Sequence, residues 1–94
     1  MVNAISLLEI KRDMINSVAE KLSALEGVTE VYSVSGRYDV VVMIRVKDNE
    51  SLAELVTGKM LKVEGIIKSE TLIAFKVYSR YELESMFSIG MDKT

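Results

Sequence analysis

The chain contains no cysteine and no histidine in 94 residues. Without cysteine there is neither a disulfide framework nor a thiolate metal site. Without histidine the commonest metal ligand, the usual haem ligand and the usual general base near neutral pH are all missing. A nucleophile–base pair is then reduced to serine with lysine, which nothing in the spacing favours. Neither a glycine-rich phosphate loop nor a cluster with metal-ligand spacing is present, so no metal and no cofactor is expected. A long apolar run is missing too. The longest uncharged one, Val40 to Ile44, is far too short to span a bilayer. The N-terminus lacks a signal peptide's charged region and cleavage site, so the expectation is a soluble, cytoplasmic protein without a membrane partner. Finally, charge of one sign is missing. Twelve basic residues face fourteen acidic ones, and no basic block exceeds Lys11-Arg12. That is not the electrostatic footprint of a nucleic-acid binder.

What is present is oil. Hydrophobic residues make up 49% of the chain and charged residues 28%, which places it among globular single domains. Val2 to Ile10 alternates as a strand, with Val2, Ala4, Leu8 and Ile10 on one face and Ile5 and Leu7 on the other. Asp13 is placed to cap a helix whose stripe is Met14, Ile15, Val18, Ala19, Leu22 and Leu25. Gly27 stops it, in the left-handed conformation. Val28 to Val34 reads as a second strand, Gly36 as a hairpin-like connection, and Tyr38 to Val46 as a third strand. Asp48 starts a second helix with Leu52, Leu55, Val56 and Met60 inward, which Gly58 weakens by roughly 1 kcal/mol. Gly65 stops that one, and Ile66 to Tyr78 holds a fourth strand.

A weak internal repeat supports this order. Leu25-Glu26-Gly27-Val28 returns as Val63-Glu64-Gly65-Ile66, and Val2, Ala4 and Leu8 fall on Val40, Val42 and Val46. Two strand–helix–strand units in tandem give β-α-β-β-α-β. This is an α+β, ferredoxin-like plait: a four-stranded antiparallel sheet with both helices on one face. Residues 1–78 form that domain. In residues 79–94, Ser79 and Glu82 fit a capping box, Tyr78 and Leu83 a staple, and Leu83, Met86 and Phe87 line a short C-terminal helix.

Two helices cover one side of a sheet. Val2, Ala4, Leu8, Val40, Val42, Ile44 and Val46 take that side. Ile5, Leu7, Val41 and Met43 are left on the other, joined by Leu72 or Ile73 according to register. Five such side chains are worth about 1.5–3 kcal/mol each when fully buried, or roughly 8–15 kcal/mol together. A whole small domain is stable by about 5–15 kcal/mol. A face this apolar is expected to pack against its copy in a symmetric dimer. The competing possibility is that the C-terminal helix folds back over it.

Ser35-Gly36-Arg37-Tyr38-Asp39 is the leading candidate site. Gly36 lets backbone amides face a ligand, and Asp39 offers an acceptor to an ammonium group. The same residues suit a hairpin whose aspartate caps its own loop, and sequence chemistry does not choose between the two. Ser69 and Thr71 lie two residues apart, hence on one strand face, where they bond a ligand, a neighbouring subunit or only water. Tyr78 and Tyr81 suit helix docking better than base stacking, and the scattered methionines suit core filling.

The segment from Gly27 to Val42, with its Gly-Val start and the Gly36–Asp39 loop, resembles the signature of the Lrp/AsnC effector-binding domain, also called RAM. Gly65-Ile66-Ile67-Lys68-Ser69-Glu70-Thr71-Leu72-Ile73 is similar to that family's fourth-strand pattern of alternating hydroxyls. The resemblance runs from about Val2 to Val77. It departs at Lys11-Arg12-Asp13, where family members usually carry Pro-Gly, which bears on the first turn and not on the fold. The resemblance implies a non-enzymatic module of transcriptional or metabolic regulation. It implies a homodimer made by sheet-on-sheet packing, assembled further into octamers or decamers, and an amino acid or similar small effector bound between dimers. By motif match the ligand-binding residues are Ser35, Gly36, Arg37, Tyr38 and Asp39, with Ser69 and Thr71 from the fourth strand. The first strand begins at Val2, so a stand-alone form without a DNA-binding domain is expected, with a full-length Lrp/AsnC regulator as a further partner. Two other functions fit the topology. A cofactor-free dimeric α/β-barrel enzyme of the monooxygenase type would need a convergent polar set. An RNA-recognition motif would need aromatic and basic residues on its third strand, which instead reads Val40-Val41-Val42-Met43-Ile44-Arg45.

Overall fold

The computed structural model describes residues 1–78 and Arg80. The capping box at Ser79 and Glu82, Tyr81 and the helix proposed over Leu83, Met86 and Phe87 lie outside the described residues. The elements are β1 (Val2–Ile10), α1 (Ile15–Ser23), β2 (Val28–Ser33), β3 (Val40–Val46), α2 (Asn49–Gly58) and β4 (Ile66–Ile73). They form a four-stranded antiparallel sheet in the order β2-β3-β1-β4. This is the ferredoxin-like plait expected from the tandem repeat, with the first and third strands side by side in the middle.

Register decides which residues meet the helices. Val2 pairs with Val46, Ala4 with Ile44, Ser6 with Val42 and Leu8 with Val40. In a strand alternate side chains share a face. Ala4, Ser6, Leu8 and Ile10 are therefore buried together with Val40, Val42, Ile44 and Val46, against Val18, Leu22, Leu52, Leu55 and Met60. Every residue assigned to the helix side from the alternation lies there. The odd-numbered set, Ile5, Leu7, Val41 and Met43, is on the far face. Leu72 pairs with Ile5 and joins it, whereas Ile73 pairs with Ala4 on the helix side.

Six boundaries differ from the sequence reading, among them β2, which ends at Ser33 rather than Val34, and α2, which ends at Gly58 and leaves Met60 in a following 3-10 turn. Asp13 does not cap α1: it lies inside a 3-10 turn, Arg12–Met14, and the N-cap position is Met14, with no side-chain cap. The chain spends that turn reversing direction, so the helix starts one residue later than a cap at Asp13 would place it. Leu25 lies beyond α1, which ends at Ser23 through tightened bonds from Ala24 N–H to Lys21 C=O and Leu25 N–H to Leu22 C=O. The third strand starts at Val40 rather than Tyr38, and the fourth ends at Ile73 rather than Tyr78. Asp48 does cap α2, accepting a bond from Ser51 N–H at 2.8 Å. The Ser51 side chain and, after it, this backbone bond hold the Asp48 carboxyl below the usual carboxylate range.

The repeated glycines are used reciprocally. Gly27, after α1, has φ +99°, and a Cβ there would stand 2.9 Å from Val46 Cγ1 and 3.0 Å from a Leu55 methyl. Gly65, after α2, has φ +110°, and a Cβ there would stand 3.0 Å from Val18 and 3.1 Å from Met14 Sδ. Each turn leaving one helix thus presses against the other half of the repeat. Gly27 C=O accepts from Arg45 N–H at 2.8 Å and Gly65 C=O accepts from Lys11 N–H at 2.9 Å.

Replacing Gly27 with alanine should destabilise the fold by about 2–4 kcal/mol, combining left-handed strain with overlap in the core. Gly36 has φ +125° but nothing within 4 Å of a built Cβ. Gly36→Ala should therefore cost only the strain, about 1–2 kcal/mol. Urea unfolding of both variants measures the gap, and equal losses would refute the close-approach account.

Candidate functional site

The loop from Val34 to Asp39 closes over the end of β1. Asp39 carries three backbone or side-chain bonds. Its C=O accepts from Val34 N–H at 3.0 Å, its N–H donates to Leu8 C=O at 2.9 Å, and its Oδ2 accepts from Ile10 N–H at 2.8 Å. The last bond has a clear cause. The pairing of β1 with β4 shifts register between Glu9 and Ile10, and β3 has already ended on the other side. Ile10 N–H thus loses its ladder partner at the bulge, and the carboxylate supplies one. Asp39 is therefore not a cap for its own loop: its carboxylate ties the loop to a strand 29 positions away.

Tyr38 reaches across β1 and donates to Glu70 Oε1 on β4 at 2.8 Å. The bond to the Glu70 carboxylate pushes the Tyr38 phenol above the usual tyrosine range. Tyr32, on the far face opposite Val41, is raised in the same way by Glu30. Glu70 pairs with Leu7, so this contact lies on the face away from the helices.

Ser69 and Thr71 lie on the opposite face. They pair with Leu8 and Ser6, both fully buried toward the helices. Thr71 Oγ1 is 2.7 Å from Ser6 Oγ. The structure therefore does not bring the loop Ser35–Asp39 and the hydroxyls Ser69 and Thr71 together within one subunit. β1 stands between them. The alternation marked Ser69 and Thr71 as a pair but gave no reason to single out Ser6, whose partner is set by cross-strand register.

Three cavities adjoin these parts, and none includes residues 35–39. One, of about 390 Å³, lies on the far face between the sheet (Ile5, Met43, Arg45) and Ala74, Lys76 and Val77 beyond β4. The described end of the chain thus shelters one end of that face, while Leu7 and Val41 lie outside the cavity. A second, of about 260 Å³, lies between α2 and β4, and Thr71 is part of its wall. The third, of about 390 Å³, is a polar cleft between Gly27, Val46 and the start of α2. Among the described residues no group of three carboxylates is disposed to hold a metal, and no helix is long and apolar enough to cross a membrane.

Comparison with known proteins places this arrangement. The Lrp/AsnC ligand binding domain matches residues 3–83. The chain is 35% identical over 75 residues to the HTH-type transcriptional regulator FL11 of Pyrococcus furiosus, a match covering 80% of this chain and 49% of the regulator. It thus spans about half the length of the curated relative it matches. The crystal structure of TTHA0845 from Thermus thermophilus superposes with a TM-score of 0.80 at 40% identity, covering 85% of this chain and all of that one. A hypothetical protein of Pyrococcus horikoshii, PHS023, superposes at 0.77 with 31% identity, covering 86% of this chain and 98% of that one.

Two outcomes test this geometry. Asp39→Ala strands Ile10 N–H and should destabilise the fold by about 1–3 kcal/mol in urea, whereas Asp39→Asn keeps an acceptor and should recover most of that. The Tyr38 bond needs the neutral phenol. Its contribution is complete below the ordinary tyrosine pKa of about 10 and is lost as pH rises through the higher folded value. Ultraviolet titration should show two tyrosines, Tyr32 and Tyr38, ionising later than free tyrosine, and Glu70→Gln should bring the Tyr38 midpoint down without moving that of Tyr32. An unchanged midpoint would show that the bond does not persist in solution.

Proposed function

The chain belongs to the Lrp/AsnC ligand-binding domain family, and from that premise we propose that it is a non-enzymatic, oligomeric module that binds an amino acid or similar small effector in transcriptional or metabolic regulation. The observation that carries the reading is the match of residues 3–83 to the ligand-binding part of proteins named as transcriptional regulators. The sheet gives it a physical basis. One face is filled by helices and the other keeps Ile5, Leu7, Val41, Met43 and Leu72 as an apolar patch between Tyr32 and Tyr38. In this reading the patch is the homodimer interface. Ile5, Leu7, Val41 and Met43 are half-buried even in the single subunit, so dimerisation removes less area from water than five exposed side chains would.

The effector is held by Ser35, Gly36, Arg37, Tyr38 and Asp39 of one subunit, with Ser69 and Thr71 supplied by another in a higher assembly such as an octamer or decamer. The separation of these two sets by β1 supports a composite site. Asp39 Oδ2 is already engaged by Ile10 and the Tyr38 hydroxyl by Glu70, which leaves the loop's backbone amides and the Arg37 side chain as its freer contacts. A full-length Lrp/AsnC regulator is a fitting partner, because it carries the same domain. The enzyme alternative required a deep polar pocket between sheet and helices. The groove between α2 and β4 is lined by Asn49, Leu52, Ala53, Val56, Thr57, Thr71 and Ile73, without one ionisable group, whereas the open cleft beside Gly27 and the start of α2 carries Glu26, Arg45, Lys47, Glu54 and Lys59.

Calorimetry against the twenty amino acids should find at least one ligand, and Arg37→Ala should weaken it without lowering stability. Sedimentation at micromolar concentration should report a dimer or larger, which Val41→Glu or Met43→Glu dissociates. A monomer that binds no amino acid or related metabolite would overturn the proposal.

A further inference from the structure

Two side chains of the Ser35–Asp39 loop are bonded to other strands, and the bonds differ in what they leave behind when broken. Asp39 Oδ2 accepts from Ile10 N–H in a partly buried contact, so its release strands a backbone donor. Tyr38 donates to Glu70 Oε1 at 2.8 Å in an exposed contact, so either group can turn to water when they part. The first bond is structural and the second is exchangeable. The strand on which Glu70 stands does not depend on it. β4 is already paired to β1 through its backbone, and Glu70 is an exposed side chain on it.

The chemistry of the exchangeable bond is specific. Tyr38 holds a carboxylate, and the charge of Arg37, the next residue in the loop, acts on the same phenol against the effect of Glu70. A phenol donor beside a guanidinium is a pair suited to a carboxylate. Here the chain meets it with a carboxylate of its own. We propose that Glu70 is an internal stand-in for the carboxylate of the effector: it occupies Tyr38 in the empty subunit, and the effector displaces it. The inference rests on the effector-binding reading above and adds to it an autoinhibitory contact. The exchange is like for like, since a phenol bonded to one carboxylate becomes a phenol bonded to another. While Glu70 holds Tyr38, only a fraction of the subunits present a free hydroxyl, and the apparent affinity is lowered by that fraction. A ligand without a carboxylate has no use for the hydroxyl and is indifferent to the contact.

Calorimetric titration of each of the twenty L-amino acids into the full chain and into Glu70→Ala tests it, with the amino acid that binds compared with its own α-carboxamide. Glu70→Ala should bind the amino acid about 2–10-fold more tightly, as expected when an exposed competing hydrogen bond is removed. The carboxamide should show no such gain. Glu70→Gln, which keeps the shape and a neutral acceptor, should lie between. In a Tyr38→Phe background Glu70→Ala should leave the affinity unchanged. That arm separates the contact from the plain removal of a negative charge, which would help an anionic ligand with or without the hydroxyl. An affinity that stays level or falls in Glu70→Ala would overturn the proposal while leaving effector binding intact. A gain that survives Tyr38→Phe, or that the carboxamide shares, would overturn it as well. Failure of all twenty to bind either protein would remove the effector reading and the autoinhibitory contact with it.

Discussion

The register of β1 on β3 is the constraint from which the remaining architecture follows. Leu8 opposite Val40 and Ala4 opposite Ile44 put one continuous apolar row under the helices. A slip of β1 by one residue would turn Ile5 and Leu7 inward and expose Ala4 and Leu8, while β3 still kept Val40 and Val42 under the helices. Both faces are apolar enough that the alternation alone barely distinguishes them. The distinction comes from the ends of the strands. Asp39 fixes β3 against Leu8 and Ile10 at one end, and Arg45 N–H is held by Gly27 at the other. The pairing that defines the core is thus pinned to β1 by polar contacts at one limit, while the other end of β3 is tied to the turn before β2, and the pairing also decides which apolar set lies on the far face.

The tandem repeat was the most legible part of the fold, and the structure shows why. A glycine after each helix is needed twice over: for a left-handed turn and for close approach to the opposite half. Both demands leave the same mark, a Glu-Gly followed by a β-branched residue, so the repeat survives in the sequence. The misplaced boundaries have a common cause. Asp13, Leu25 and Tyr38 all lie in turns where residue type suited the adjoining element but the chain was still changing direction. Local preference cannot report that, because the direction of the chain is set by packing elsewhere.

The candidate site was legible in part. Ser35–Asp39 was found as a loop with a special aspartate, for which a ligand's ammonium group and its own loop were the two partners considered. Its actual partner, Ile10 N–H, is exposed to it by a bulge between β1 and β4, a feature with no signature in either segment alone. The Ser6–Thr71 pair is similar. Strand alternation gives the face of each hydroxyl, but only the pairing of Ser6 with Thr71 makes them partners. The far face was identified correctly as apolar, yet its value for association was overstated. Ile5, Leu7, Val41 and Met43 shelter one another and are half-buried before any copy arrives.

The disposition of the loop and the β4 hydroxyls has a consequence for how effector and assembly relate. β3 and β4 are two strand spacings apart, roughly 10 Å, with the backbone of β1 between them. Tyr38 bridges that gap only on the face away from the helices, and Ser69 and Thr71 open only toward them. A small molecule cannot touch both sets in one subunit without passing through the sheet. If both contact the ligand, they do so from different subunits, and the ligand is then part of the interface that holds those subunits together. Binding and assembly would share one free energy. The effector would favour the associated state by its preference for the complete site, and the associated state would raise affinity for the effector by the same factor. In the proposed reading, this reciprocity alone would transmit a signal.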